Sequence, residues 1–401
     1  MMSISRKIAI VVVCAGAFLS LGIIIALSGK WSSDGRFDSY QSARIDRRAE
    51  FKISELRETA SGTEESLDFV EFPTVQVGWI GNHYGLLFDT RDGGRTWNRR
   101  SLKFAGQDEH LYYPAIHFVS DVSGWAIAQR YNAPGEDICL RNAWLLHTDD
   151  GGSTWNVQFE KKCVELIRLS FVSDREGWLV GQQFFQEKQT TTGKFLVMHT
   201  SDGGKTWVDV SARPNWLMGD LRGRVLELPA GIAASSDGSA TMISGNGYLL
   251  DASNGGTRWQ RSGSLALYRL LPETKAMSDG SVTVNAGVDG EEGTAGMVAR
   301  RDANGQWTGS WFKDFLVNDA VFLSDREIVA CGSLLPEDKA LLVQGQREAA
   351  IICSSDGGLN WKLLFKSSEV KSVNALHAGD GGTVWAVGPH GKIIKLMWPI
   401  R

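Results

Sequence analysis

An all-β fold, a seven-bladed β-propeller of four-stranded antiparallel blades behind one N-terminal transmembrane helix, is predicted by three observations. An eight-residue turn motif recurs along the chain. A Gly-Trp strand recurs with it. A single apolar run of 20 residues stands before both. Composition agrees: 45 Gly, 15 Trp and only 9 Pro in 401 residues suit short strands and tight turns better than an α/β enzyme.

The turn motif reads Thr-x-Asp-Gly-Gly-x-Thr-Trp at residues 90–97, 148–155 and 200–207, and Ser-Ser-Asp-Gly-Gly-Leu-Asn-Trp at 354–361. Decayed copies end at Trp259 and Trp307, so Trp97, Trp155, Trp207, Trp259, Trp307 and Trp361 fall 58, 52, 52, 48 and 54 residues apart. A period of that size signals stacked structural units. Within each box the Asp (Asp92, Asp150, Asp202, Asp356) accepts hydrogen bonds from its own turn. The paired glycines supply positive φ, and the Trp is expected to fill the wedge between neighbouring sheets. A residue that recurs in every unit serves the unit, so these Asp are read as structural rather than catalytic.

The second signature is Gly78-Trp79, Gly124-Trp125, Gly177-Trp178 and Val384-Trp385, preceded in several units by an apolar strand ending in Ser-Asp at Asp121, Asp174 and Asp325. Each unit therefore parses as strand A, Ser-Asp turn, strand B with Gly-Trp, strand C, box, strand D. Units start near Leu67, Ala115, Leu166, Gly231, Ala276, Val317 and Val373, spanning residues 66–398. The last lacks a strand D. An open edge invites mispairing, so a segment before Leu67, residues 51–56, is expected to supply it.

Ahead of the propeller, Arg6 and Lys7 precede the uncharged run 8–27. As a helix, 20 residues span about 30 Å, a bilayer core. The reading is a cytoplasmic stub (1–7), a transmembrane anchor (8–27) and an extracytoplasmic body, by the positive-inside rule. A cleaved signal peptide is the alternative. Cys14 lies inside the run after Val13, which does not fit a lipobox. Residues 28–65 are polar and charged and read as a solvated tether, with a short helix near 40–57 and part of the segment closing the last blade.

The pattern of apolar strand, Ser-Asp, Gly-Trp-x-x-Gly and box resembles the photosystem II stability/assembly factor family, with its Asp-box (bacterial-neuraminidase-type) repeats, over residues 67–396. That resemblance implies a lumenal or periplasmic seven-bladed propeller that assists a membrane protein complex by binding, without catalysis. Sialidases, which share the box, carry an early Arg-Ile-Pro string that does not occur here. Two-propeller xyloglucan hydrolases need about twice this chain.

Catalytic chemistry finds little support. No phosphate-binding Gly loop and no nucleophile elbow occurs, and the 7 His never reach zinc spacing. No cofactor and no metal is expected. With 42 Lys plus Arg against 46 Asp plus Glu, no whole-chain basic field points to nucleic acid. Paired carboxylates on a propeller face would suffice for a glycosidase, so a glycan-binding or glycan-hydrolysing propeller stands as the alternative function.

The geometry of an up-and-down blade favours protein binding. The insertions 130–140, 182–193, 211–224 and 332–348 all fall on the face opposite the boxes. They display Arg130, Tyr131, Phe184, Phe185, Trp216, Arg222 and Arg224, residue types of interface hot spots. The alternative is that Phe184, Phe185 and Trp216 fold back onto the blades. Four cysteines pair by symmetry: Cys139 with Cys163 about Gly151, and Cys331 with Cys353 about Leu342. Disulfides there would suit an oxidising compartment, although all four could equally be small buried apolar residues.

Overall fold

The structure, a computed structural model, describes residues 40–47, 55–100, 102–104, 111–130, 142–187, 190–211, 229–244, 248–264, 273–276, 282–290, 293–301, 304–336 and 346–398. The apolar run 8–27 lies outside them. Among the described residues no helix is long and apolar enough to cross a membrane.

The described strands form seven sheets. Sheet I takes Phe69–Glu71, Gly78–Gly81, Leu87–Thr90 and Asn98–Arg100 as strands A to D, and sheet II Leu111–Phe118, Gly124–Arg130, Asn142–Thr148 and Asn156–Lys162. Sheet III takes Val164–Phe171, Gly177–Glu187, Thr190–Thr200 and Val208–Asp209, and sheet IV Pro229–Ala234, Ala240–Ser244, Tyr248–Ser253 and Arg258–Ser264. Sheet V is Glu273–Ala276, Val282–Gly290, Gly293–Arg301 and Trp307–Phe312, and sheet VI Phe315–Phe322, Ile328–Leu334, Glu348–Ser354 and Trp361–Ser367. Sheet VII has Ala375–Gly379, Thr383–Val387 and Lys392–Met397 as strands A to C.

Its strand D comes from the other end of the chain. Glu55–Ala60 pairs antiparallel with Lys392–Met397, from Glu55 opposite Met397 to Ala60 opposite Lys392. The closing strand thus begins later than the expected 51–56. The residues before it also depart from the expected solvated tether and helix. Tyr40–Ser42 runs parallel beside strand D of sheet V, and Ile45–Asp46 beside strand D of sheet VI. Ala43 and Ile45 enter the core around Phe312, Phe315 and Trp361, while Arg47 pairs with Asp314 at 2.9 Å. Apolar residues two apart, with Arg44 and Asp46 exposed between and after them, are the strand period in miniature.

Burial follows position in the sheet. Strand B of sheet VI, Ile328–Leu334, is buried at every residue, because sheets pack against both of its faces. Strand D of sheet II, Asn156–Lys162, has only exposed and half-buried residues at the rim.

Between sheets the contact is aromatic. Trp79 (B of sheet I) stacks on Phe118 (A of sheet II) with centroids 3.6 Å apart, and Trp125 on Phe171 at 3.7 Å. Trp385 (sheet VII) stacks on Phe72, which follows strand A of sheet I, at 4.2 Å. The box tryptophans meet the same Phe rings edge-on: Trp97 at Phe72, Trp155 at Phe118 and Trp207 at Phe171. The wedge is therefore filled by three rings, and the Gly-Trp indole is its most buried member in sheets I to III. Gly78, Gly124 and Gly177 are needed because each Phe ring crosses them, where a Cβ would meet ring carbons.

The box turn folds as its chemistry dictates. In sheet I, Gly94 N–H donates to Thr90 Oγ1 at 2.9 Å, and Asp92 accepts from the N–H groups of Arg95 and Thr96 and from the Thr96 hydroxyl. These bonds, the Thr96 hydroxyl foremost, hold the Asp92 carboxyl far below the usual range. Gly93 and Gly94 sit at φ 70° and 79°.

The cysteine pairs do not follow the symmetric registers. In sheet VI, Cys331 lies opposite Ile351 and Val329 opposite Cys353, so the two cysteines are a diagonal step apart. Cys353 is a free thiol whose burial pushes its pKa up to about 12. In sheet II, Asn142 faces Lys162, with a bulge between Leu145 and Leu146, so the register is shifted from symmetry about Gly151. Cys139 lies outside the described residues.

Candidate functional site

The A strands line a central channel of about 530 Å³, and three of the carboxylates on its wall are Asp68, Glu71 and Asp319. Each carries structural bonds. Glu71 accepts from Phe118 N–H at 2.8 Å and meets His117 Nδ1 at 3.0 Å. His117 Nε2 lies 2.9 Å from the Phe171 carbonyl, so the residue links sheets I, II and III. Both neighbours of the imidazole, the Glu71 carboxylate and the Phe171 carbonyl, are acceptors that favour its protonated form. Burial, the largest single influence, opposes charge on the ring, but the Glu71 carboxylate, through attraction and its hydrogen bond, together with the Phe171 carbonyl holds the His117 pKa above its ordinary value.

Asp319, 2% exposed, accepts from Ala320 N–H at 2.8 Å and from Leu376 N–H of sheet VII at 2.7 Å. Asp68 accepts from Ser66 and Asn374. His377 Nε2 reaches the Phe72 carbonyl at 3.0 Å and joins sheet VII to sheet I. Carboxylates saturated by backbone N–H and structural side chains stitch sheets together. Glycoside hydrolysis instead needs a pair addressed to a bound sugar, one of them protonated.

The face opposite the boxes presents a different surface. Of the residues expected to bind a partner, Tyr131, Trp216, Arg222 and Arg224 lie outside the described residues. Arg130 ends strand B of sheet II, half-buried opposite Leu111. The expected loop 182–193 is instead a continued hairpin: Gly177–Glu187 pairs with Thr190–Thr200 out to Glu187 opposite Thr190. Beyond Gln183, opposite which strand A begins at Val164, the two-stranded arm runs on by four residues, on the order of 13 Å. The β-branched Thr190, Thr191 and Thr192 favour that extension. Phe184, 8% exposed, folds back into the sheet, with its N–H on the Cys163 carbonyl. Phe185, 37% exposed, faces outward with the Lys194 ammonium 5.1 Å from its ring centroid.

One aromatic group escapes the sequence reading. The B–C turn of sheet I carries His83 and Tyr84, and Tyr84 is 77% exposed. Tyr84 meets Tyr112 of sheet II edge-on at 6.2 Å, and His83 lies 5.5 Å from the same ring. Tyr113 N–H donates to the His83 carbonyl at 2.8 Å, which fixes the turn on the neighbouring sheet. His83 and Arg168 line the adjacent channel. The turn is too short to stand out as an insertion; its signal in the sequence is an aromatic at the tip of a tight turn.

Three comparisons bear on this arrangement. Residues 136–307 match the family described as Photosynthesis system II assembly factor YCF48. The chain is 30% identical over 121 residues to the photosystem II stability/assembly factor HCF136 of Arabidopsis thaliana, and 29% identical over 125 residues to the photosystem II assembly lipoprotein Ycf48 of Synechococcus sp. (strain CC9902). Those matches span 29% and 30% of this chain but only 25% and 31% of the two relatives. Among solved structures, YCF48 bound to a D1 peptide is similar with a TM-score of 0.57 at 16% identity, over 87% of this chain and 99% of that one. A GH74 xyloglucanase from Xanthomonas campestris has a TM-score of 0.56 at 15% identity, over 84% of this chain and 53% of its own. At such identities the structural likeness establishes the propeller fold alone. With the sequence matches, it supports the family resemblance carried by the repeat.

Proposed function

We propose that this chain, a photosystem II assembly factor-like β-propeller in sequence and fold, is a seven-bladed, non-catalytic scaffold that binds a subunit of a membrane protein complex during its assembly. The observation that carries this reading is the contrast between the two candidate sites. Glu71 and Asp319 on the channel wall each accept a backbone N–H from a neighbouring sheet. The face opposite the boxes offers exposed aromatic groups, Tyr84 on the B–C turn of sheet I and Phe185 on the hairpin arm of sheet III. Aromatic and Arg anchors are what protein interfaces concentrate. Tyr131, Trp216, Arg222 and Arg224, assigned to that face from the sequence alone, are included in the proposal. That the similar YCF48 structure holds a D1 peptide supports a membrane-protein segment as the ligand.

The run 8–27 anchors the propeller in a membrane, with Arg6 and Lys7 in the cytoplasm and the Asp-box propeller outside. A lipoprotein among the relatives supports membrane attachment, reached here by a spanning helix. The glycan-hydrolysing alternative rests on fold likeness to a xyloglucanase and gains nothing from the channel.

The test is capture from detergent-solubilised membranes. The double variant Tyr84→Ala, Phe185→Ala is expected to lose the partner, each residue contributing about 1–3 kcal/mol as a hot spot, with melting temperature unchanged. Full capture by the variant, or release of reducing sugar from glucans by the wild type, would refute the reading.

A further inference from the structure

Sheet III is closed differently from its neighbours. Its strand D has 2 residues, whereas strand D has 7 in each of sheets II, IV and VI. The cause is local. The Asp209 carboxylate accepts from the Ser211 N–H at 2.9 Å and from the Ser211 hydroxyl, and an Asp bonded to the backbone two residues on makes an Asx turn. That turn stops strand D. Among the described residues the last bonds from strand C to this outer neighbour are at Val197. Its carbonyl accepts from Val210 N–H at 2.9 Å, and its N–H donates to Ser211 Oγ at 2.8 Å.

Strand C reaches well past that point, to Thr190, and is paired with strand B on its inner side throughout. The alternation of an antiparallel ladder decides which backbone groups point outward. Val197 turns its N–H and carbonyl toward strand D, so Phe195, Gly193 and Thr191 turn theirs the same way along an unbroken register. Phe184, opposite Gly193, points its N–H away from strand C to the Cys163 carbonyl, as that parity requires. Among the described residues no strand runs beside 190–196 on the outer side. Roughly 20 Å of strand edge is therefore open there. Lys194 lies in the middle of it. Its ammonium rests 5.1 Å from the Phe185 ring centroid, and among the described residues no carboxylate pairs with it.

We infer that this edge takes an extended segment of the protein partner as an added β-strand, with a carboxylate of that segment against Lys194. The inference rests on the scaffold reading for the existence of a protein partner, and adds where and how it is held. An unpaired row of N–H and C=O groups is a template for another strand, and a two-stranded ribbon gains stability from a third. Main-chain bonds to Thr191, Gly193 and Phe195 would supply affinity, while a cross-strand charge pair with Lys194 would select the sequence. The surface is continuous with the proposed partner-binding face, because Phe185 lies opposite Thr192, two residues from Lys194 on the same side of the ribbon.

The test probe is a library of random linear dodecapeptides displayed on phage and panned on the full chain in neutral detergent micelles. Peptides with alternating β-branched residues and an acidic residue are expected to be enriched. A synthetic copy of one should slow amide hydrogen exchange at Thr191, Gly193 and Phe195, but not at Thr192 and Lys194, which already bond to strand B. Gly193→Pro removes one outward donor and spares the inner ladder, so it should weaken that peptide roughly tenfold or more at unchanged melting temperature. Lys194→Gln should weaken it by less. A twin peptide methylated at alternate amide nitrogens, which leaves the protein untouched, should not bind. The edge is overturned if no peptide is enriched, if the enriched peptide leaves the outward amides unprotected, or if those amides become protected by self-association of the chain alone. Capture from solubilised membranes separates this inference from the scaffold reading. A partner kept by Gly193→Pro but lost by Tyr84→Ala, Phe185→Ala sinks the edge alone, and a peptide that protects the edge when the wild type captures no membrane protein sinks the scaffold reading alone.

Discussion

Trp79 lies flat on Phe118, with ring centroids 3.6 Å apart and planes 5° from parallel, although the residues belong to different sheets. The pair repeats as Trp125 with Phe171 and closes as Trp385 with Phe72. Sheet-to-sheet cohesion therefore rests on a Phe at the box end of each of these A strands. Phe118→Ala should destabilise the protein by about 3–5 kcal/mol and Phe118→Leu by less, as read by urea unfolding of the purified chain.

The His117 bridge sets a pH dependence. Its folded pKa is raised by Glu71 against burial, so its stabilising contribution is full below the ordinary value of 6.5 and is lost as pH rises through the higher folded value. The melting temperature of the wild type should fall toward that of His117→Gln on going from pH 6 to alkaline pH. A gap that stays constant would contradict the bridge.

The box carboxylates act at the other end of the scale. Hydrogen bonds from the Thr206 hydroxyl and N–H lower the Asp202 pKa from 3.8 to about 2. A depressed carboxylate contributes stability above its ordinary pKa and loses it as pH falls through the folded one. Asp202→Asn should melt below the wild type at pH 6, with the gap closing between pH 3.8 and about 2.

The rim strap offers a mutational contrast. Ile45 is packed with Phe312 and Trp361, whereas Arg44 is exposed. Ile45→Asp should cost about 1–3 kcal/mol and Arg44→Asp should fall within about 0.5 kcal/mol of the wild type. Equal effects would mean that residues 40–46 do not hold the outer edges of sheets V and VI.

Much of this architecture was legible because the box and the Gly-Trp strand carry side chains whose chemistry fixes one turn and one packing. Trp79 and Asp92 could be read in isolation. The closing strand was legible from the open edge it fills, but its bounds, Glu55–Ala60, were not, because an outer strand has no buried face to impose an apolar period, and Glu55, Arg57 and Glu58 look like tether. Ala43 and Ile45 were hidden by the charges beside them. The Cys331–Cys353 register failed because symmetry about a loop centre takes no account of where each strand stops. At the candidate site, Phe185 and Arg130 were readable as residue types on one face. Burial of Phe184 and the prominence of Tyr84 depend on how far a hairpin runs, which composition does not encode.

The most direct measurement uses a photo-crosslinking amino acid placed at Tyr84 on the face opposite the boxes, and separately at Leu359, which is 48% exposed in the box turn of sheet VI. Irradiation in intact membranes, followed by mass spectrometry, identifies what lies against each position. An integral membrane protein crosslinked from position 84, absent from position 359 and lost on adding Phe185→Ala, is the result expected of a scaffold that binds through its loop face. The same crosslink from position 359, or one from position 84 that survives Phe185→Ala, would contradict it.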